Sequence, residues 1–69
     1  MKSDPGNEEY NYGLAVAAYS IDKYSHASLA FERVLAINPG NDWARMELGR
    51  AHLASGQEEL ARTYFEEVL

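Results

Sequence analysis

The side chains best suited to chemistry in this sequence are two histidines and two pairs of glutamates. His26 and His52 lie in different predicted helices, and the chain contains no cysteine. A protein zinc site needs closely spaced histidine, cysteine or carboxylate ligands, and neither histidine has such neighbours. We therefore predict no metal site and interpret both histidines as structural residues.

The glutamate pairs Glu58-Glu59 and Glu66-Glu67 are more simply explained as a solvated helix face than as catalytic acids. The sequence shows no nucleophile with a nearby base and no glycine-rich phosphate loop. We predict that the chain is not an enzyme and that it needs no cofactor.

Charge and length narrow the possible partners. The 69 residues carry a net charge of −5, whereas binding to nucleic acid or to an anionic membrane surface requires clustered lysine and arginine. No apolar run approaches the roughly 18 residues that span a bilayer. We therefore predict no nucleic acid partner and no direct membrane insertion, and we expect the partner to be a protein or a peptide.

Apolar residues recur at helical spacing in four stretches, which predicts four helices. The predicted helices cover residues 8 to about 21, about 24 to 37, 42 to 54, and 58 to 69. Asn7 is a predicted N-cap of the first helix, and Asn41 or Asp42 a predicted N-cap of the third. The loops are short, so successive helices should be antiparallel.

Much of the sequence recurs after 34 residues. The matching pairs are Ala27 with Ala61, Phe31-Glu32 with Phe65-Glu66, Val34-Leu35 with Val68-Leu69, and Pro39-Gly40-Asn41 with Pro5-Gly6-Asn7. A repeat of this length is typical of stacked helical hairpins. We predict an all-α fold, an α-solenoid of two antiparallel hairpins covering residues 8–41 and 42–69. Residues 1–7 are interpreted as the remnant of an upstream repeat turn or as an N-terminal cap.

Gly49 lies inside the third predicted helix, where glycine costs about 1 kcal/mol relative to alanine. Its equivalent 34 residues earlier is another small residue, Ala15. We expect both positions to allow close approach of the two helices of a hairpin, with Phe31 and Phe65 beside the contacts.

With these residues located, the chain resembles the tetratricopeptide repeat (TPR) family. That family places a large residue before Leu-Gly, then an aromatic, then Ala-x-x-x-Phe and a proline. The second repeat reads Arg45-x-x-Leu48-Gly49-x-x-His52 and Ala61-x-x-x-Phe65, and the first reads Asn11-x-x-Leu14-Ala15-x-x-Ala18, Ala27-x-x-x-Phe31 and Pro39. Both repeats lack aromatics at the first and third of these positions.

The resemblance implies a protein–protein interaction module, a scaffold in which the first helix of each repeat lines a concave groove. By position, the groove would contain Tyr12, Val16, Tyr19, Trp43, Met46, Arg50 and Leu53. A known subclass clamps a C-terminal carboxylate with lysine and asparagine, but the corresponding positions here hold Tyr12, Val16 and Glu47. An aromatic and aliphatic groove is better suited to an apolar peptide or a partner helix.

Some of these groove residues have a structural alternative. Tyr12, Tyr19 and Trp43 could instead fill the space left by the missing family aromatics, and we favour that core or edge packing because small repeats need every large side chain. Arg50 could anchor an acidic group of a partner, or it could pair with Glu47 on the helix surface.

The alternative function is self-assembly into homo-oligomers. TPR arrays normally close with a polar-faced capping helix, and the second repeat lacks one. An uncovered apolar end would favour stacking of copies end to end, or exchange of helices between them. The predicted self-association surface consists of Leu60, Tyr64, Val68 and Leu69.

Overall fold

The structure is a computed structural model that describes residues 6–68. Four helices form in chain order: α1 over Glu8–Ser20, α2 over Tyr24–Ile37, α3 over Asp42–Ala54 and α4 over Glu58–Val68. No strand occurs among residues 6–68, so the all-α prediction is confirmed. The helix α1 ends one residue earlier than predicted. The interpretation of residues 1–5 and of Leu69 lies outside the described residues.

Asparagine side chains begin the first helix of each hairpin, as predicted. The Asn7 side chain accepts a hydrogen bond from the backbone N–H of Tyr10 at 2.8 Å, and Asn41 accepts one from Ala44 at 3.0 Å. Each bond satisfies a backbone donor that has no partner inside the helix. The two caps are 34 residues apart, so the repeat in the sequence is also a repeat in local structure.

The turns within the hairpins share an unusual backbone geometry. Asp22 and Gly56 are equivalent positions, and both adopt a positive φ, +63° and +88°. Glycine reaches this left-handed region without steric cost, and aspartate is among the few other residues that tolerate it. The same reversal of chain direction therefore joins α1 to α2 and α3 to α4.

Each helix packs against the next along the chain, and the core lies between them. A first hairpin (α1 and α2) and a second hairpin (α3 and α4) meet where α2 contacts α3. The buried cluster contains mostly small side chains around two larger ones, and its members are Ala15, Ala27, Ala30, Phe31, Val34, Ala44 and Leu48. Small residues let the helix axes approach closely, as the sequence predicted for Ala15.

The close approach predicted at Gly49 is confirmed. A β-carbon added at Gly49 would lie 2.8 Å from Cε1 of Phe65, which is shorter than carbon atoms tolerate. Phe65 thus packs directly on the backbone of α3. Its equivalent Phe31 is buried in the core cluster, whereas Phe65 is half-buried because no described helix covers the outer side of α4.

Candidate partner-binding surface

The starts of the two first helices, α1 and α3, are tied together. One carboxylate oxygen of Glu8 accepts hydrogen bonds from the side chains of Asn38 at 3.0 Å and Asn41 at 2.7 Å. Further along the same side, burial and the nearby carboxylate of Glu47 raise the pKa of Tyr12. The hydrogen bonds of Glu8 hold the start of α1 beside the start of α3, and the predicted groove needs these two helices to be neighbours.

The predicted groove residues fall on one face of each of these two helices. On α1, Tyr12, Val16 and Tyr19 follow helical spacing of four and three residues, and on α3, Trp43, Met46, Arg50 and Leu53 do the same. Val16 and Leu53 are exposed, while Tyr12, Tyr19 and Met46 are half-buried. The surface is therefore partly apolar and open to solvent.

Trp43 has 70% of its surface exposed. The interpretation that it fills a gap in the packing is wrong, because a ring with this much exposed surface is not enclosed by the neighbouring helices. A large apolar ring held at the surface of a fixed helix is a feature of contact sites in proteins.

Tyr12 and Tyr19 behave differently from Trp43. The Tyr12 ring packs edge-on against Phe31, with ring centres 5.7 Å apart, and Tyr19 packs edge-on against Tyr24 at 5.4 Å. For these two residues the packing interpretation is confirmed. Each remains half-buried, so part of each ring still contributes to the outer surface.

Arg50 is only weakly engaged. Its Nη1 lies 3.9 Å from Oε1 of Glu47, one turn away on the same helix, and its side chain is exposed. Exposed pairs of this kind contribute little free energy. The guanidinium is consequently available to a carboxylate of a partner at little cost.

Two surface depressions among the described residues lie away from the predicted groove. One, of about 420 Å³, is lined by residues of α1, α2 and the turn between them, including Leu14, Ala18 and Leu29. The other lies between α2 and the turn of the second hairpin. None of the seven predicted groove residues lines either depression. The predicted groove is thus an open surface, suited to an extended or helical segment more than to a small molecule.

A family model for the tetratricopeptide repeat matches residues 22–69. The chain belongs to the tetratricopeptide repeat family. A human protein, Protein IFIT1 homolog B, is 32% identical over 77 aligned residues, which cover all of this chain. The chain spans 16% of the length of that relative. No solved structure matches the chain.

Membership of the family identifies this TPR chain as a protein–protein interaction module. Among residues 6–68, no helix is long and apolar enough to cross a membrane. The described residues also bring together no group of three possible metal ligands.

At the first landmark position of each TPR repeat, where an aromatic is missing, the structure places a polar residue. Asn11 is buried, and its side chain donates to the backbone carbonyl of Asn7 at 2.9 Å. Arg45 connects α3 to two other parts of the chain: it binds Asp42 of its own helix at 2.9 Å, Glu67 of α4 at 3.1 Å and the carbonyl of Pro39 in the α2–α3 turn at 2.6 Å. The sequence alone did not indicate the role of Arg45, because its partners Pro39 and Glu67 lie on other elements.

His52 is a structural residue, as predicted. It is buried, its Nδ1 lies 2.9 Å from Oε1 of Gln57, and its ring stacks on Tyr64 with centres 5.4 Å apart. His26 is exposed and lines the depression of about 420 Å³. The two histidines of this TPR protein therefore have different surroundings.

The predicted self-association residues differ in their exposure and in their contacts. Leu60 is exposed and Val68 is half-buried. Tyr64 packs against the core cluster and stacks on His52 of α3. Leu69 lies outside the described residues.

Proposed function

We propose that this TPR chain binds an apolar peptide or an amphipathic helix of a partner protein on the surface formed by α1 and α3. The observation that carries the proposal is the exposed indole of Trp43, displayed beside further apolar side chains of α3. Val16 and the outer parts of Tyr12 and Tyr19 extend this surface across α1.

Binding energy would be concentrated at Trp43. Burying an aromatic side chain removes about 150–250 Å² from water, and each Å² contributes about 25 cal/mol. Tryptophan and arginine are also among the residues most enriched at energetic hot spots of protein interfaces. The exposed Arg50 would add a contact with an acidic group of the partner, which favours ligands that combine apolar and acidic residues.

Selection from a displayed peptide library against the whole chain tests this proposal. We expect the selected peptides to share apolar residues at helical or alternating spacing, and to lose at least tenfold in affinity when Trp43→Ala is introduced. The Tyr10→Ala variant is the matched control, because Tyr10 is an exposed aromatic of α1 that lies outside the groove set. Peptides that bind the Trp43→Ala and Leu53→Glu variants as tightly as the unaltered chain would refute the groove.

A second candidate function is self-assembly. It is favoured by apolar residues of α4 that are only half-buried. Phe31 and Val34 of α2 are fully buried where α2 meets α3, but their equivalents Phe65 and Val68 are only half-buried. The outer side of α4 therefore keeps a surface of the kind that packs against another hairpin. Sedimentation across a hundredfold range of concentration should reveal larger species, and a monomer throughout that range would rule out self-assembly.

A further inference from the structure

The first hairpin exposes an apolar face on the side opposite to the second hairpin. We define the receiving face as Leu14, Ala18, Ile21, Lys23 and Arg33, which together line the depression of about 420 Å³. Leu14 and Ile21 are exposed there, and two basic residues stand at the edge. No described helix covers this face.

The second hairpin has an equivalent face, and α2 covers it. Leu48 is equivalent to Leu14; Leu48 has no exposed surface and belongs to the core cluster with Phe31 and Val34, whereas Leu14 is 42% exposed. The depression between α2 and the turn of the second hairpin shows the edge of the same contact, because residues of both elements line it. The contact between α2 and the second hairpin is therefore a template for what the receiving face could bind.

The receiving face also has more room than its equivalent. In the second hairpin the stacked rings of His52 and Tyr64 fill the space between the two helices. The equivalent residues in the first hairpin are Ala18 and Ala30, and both line the open depression. A docked helix therefore gains space here for large side chains at its contact with the hairpin.

The helix equivalent to α2 is α4. Phe65 and Val68 take the places of Phe31 and Val34, so α4 offers the same apolar pair. Moving the internal contact by one repeat also predicts which charged residues meet. Ser25 of α2 and Gln57 of the second hairpin both line the depression between these two elements. The equivalent of Ser25 is Glu59 on α4, and the equivalent of Gln57 is Lys23 on the receiving face.

A second charged pair follows from the surroundings of Tyr64. Burial raises the pKa of Tyr64, and the carboxylates of Glu32 and Glu67 raise it further, so Glu32 of α2 faces this part of the second hairpin. When α4 stands in for α2, Glu66 takes the place of Glu32. When the first hairpin stands in for the second, Arg33 takes the place of Glu67. Two like charges in the internal contact thus become one opposite-charge pair.

The four charged residues in these pairs form no ion pair with each other or with other described residues. Within residues 6–68, Lys23, Arg33, Glu59 and Glu66 form no ion pair, since the ion pairs present involve only Arg45 and Arg50. Arg62 is the one basic residue on the same side of α4, and the two glutamates outnumber it. An acidic helix face therefore matches a basic edge in charge.

We propose that α4 of a second copy docks on the receiving face in the way that α2 docks on the second hairpin of its own chain. Glu59 then lies opposite Lys23, Glu66 lies opposite Arg33, and Leu14 is covered by Phe65 and Val68. This inference rests on self-assembly, the second candidate function. Because the two surfaces differ, the contact is head to tail, and it builds an open series or a ring of several copies rather than a two-fold dimer.

Charge exchange tests the predicted pairs. Arg33→Glu alone and Glu66→Arg alone each place like charges in contact, so we expect sedimentation velocity at low ionic strength to show association weakened about tenfold. The double variant Arg33→Glu/Glu66→Arg restores opposite charges at every contact and should recover the association. Arg50→Glu is the matched control, because Arg50 is an exposed arginine on the α1–α3 surface.

Mixing of blocked copies tests the head-to-tail geometry. Leu14→Glu blocks the receiving face, and Val68→Glu blocks the α4 face, so each variant alone should be monomeric. A mixture of the two should form a heterodimer that grows no further, since each copy retains one intact surface. Leu53→Glu, an exposed leucine on α3, should leave the assembly unchanged. Unchanged far-ultraviolet circular dichroism establishes that each variant is folded.

The outcomes separate this inference from the function on which it rests. A chain that assembles equally well with Leu14→Glu and with Arg33→Glu retains self-assembly but overturns the proposed contact. Assembly that stops at a dimer of two unaltered copies also overturns it. A monomeric unaltered chain at every concentration would overturn both self-assembly and this contact.

Discussion

The close contact between α3 and the Phe65 ring requires that residue 49 has no β-carbon. Substitution by alanine should improve helix propensity by about 1 kcal/mol, but the new β-carbon would lie 2.8 Å from the Phe65 ring. Overpacking of this kind costs about 1–3 kcal/mol, so we expect Gly49→Ala to lower the free energy of unfolding by about 1 kcal/mol. Chemical denaturation followed by circular dichroism measures the change.

The matched control is Gly13→Ala in α1. A β-carbon at Gly13 meets no atom within 4 Å, so only the helix propensity should change and the chain should gain up to about 1 kcal/mol. Opposite signs for the two variants are the expected result. If Gly49→Ala stabilised the chain as Gly13→Ala does, the close contact between α3 and Phe65 would be disproved.

Comparison of Gly49 with Trp43 shows which single residues were predictable. Glycine inside a helix demands a structural reason, so its close contact could be predicted from sequence. The exposure of Trp43 could not, because hydrophobic patterning does not distinguish a buried ring from one displayed for a partner. The role of Arg45 was also missed, since its partners Pro39 and Glu67 lie on other elements.

Glu8 joins two helical elements through one carboxylate, and we expect Glu8→Ala to destabilise the chain. The substitution removes hydrogen bonds to Asn38 and Asn41, which connect the start of α1 to the α2–α3 turn. It also removes a negative charge from the first turn of α1, an effect that Glu9→Ala shares. Glu8→Ala should therefore cost about 1 kcal/mol more than Glu9→Ala in thermal or chemical unfolding.

The control Glu9 is exposed and lies in the same turn. Equal losses of stability for the two variants would mean that the helix dipole, and not the contact with the turn, explains the contribution of Glu8. Asn41 also caps α3 through its side-chain oxygen, so the loss of Glu8 should loosen the start of α3 as well.

Helix boundaries were the most predictable features at the level of elements. The caps at Asn7 and Asn41 arise from residues close in sequence, so a local pattern was sufficient to locate them. The contacts between elements were not visible in this way. The link from Glu8 to Asn38 spans 30 residues and depends on how α1 lies against the α2–α3 turn.

For the whole molecule, the 34-residue repeat predicted two equivalent hairpins, and family membership and the four-helix fold agree with it. The repeat could not show which copy of each surface is covered. Leu14 and Leu48 occupy equivalent positions, but only Leu48 lies against a neighbouring hairpin. Tyr64 was assigned to an outer surface for the same reason, although it packs against the core.

This difference yields a prediction about cooperativity. Leu48 is fully buried in a core cluster that contains residues of α1, α2 and α3, so Leu48→Ala should cost about 2–5 kcal/mol. A chain of this size is only marginally stable, so much of the population should unfold. Because the two hairpins stabilise each other through this contact, hydrogen exchange should show loss of protection in α1 and α2 as well as in α3 and α4.

Leu14→Ala is the control for this last prediction, since it makes the same chemical change at the equivalent, partly exposed position. Measured at concentrations where the chain is monomeric, it should cost about 1 kcal/mol, less than Leu48→Ala, because 42% of the Leu14 surface stays exposed to water in the single copy. Loss of protection restricted to α3 and α4 in Leu48→Ala would mean that the first hairpin folds independently. Loss across all four helices would establish the contact between α2 and α3 as the source of cooperative folding.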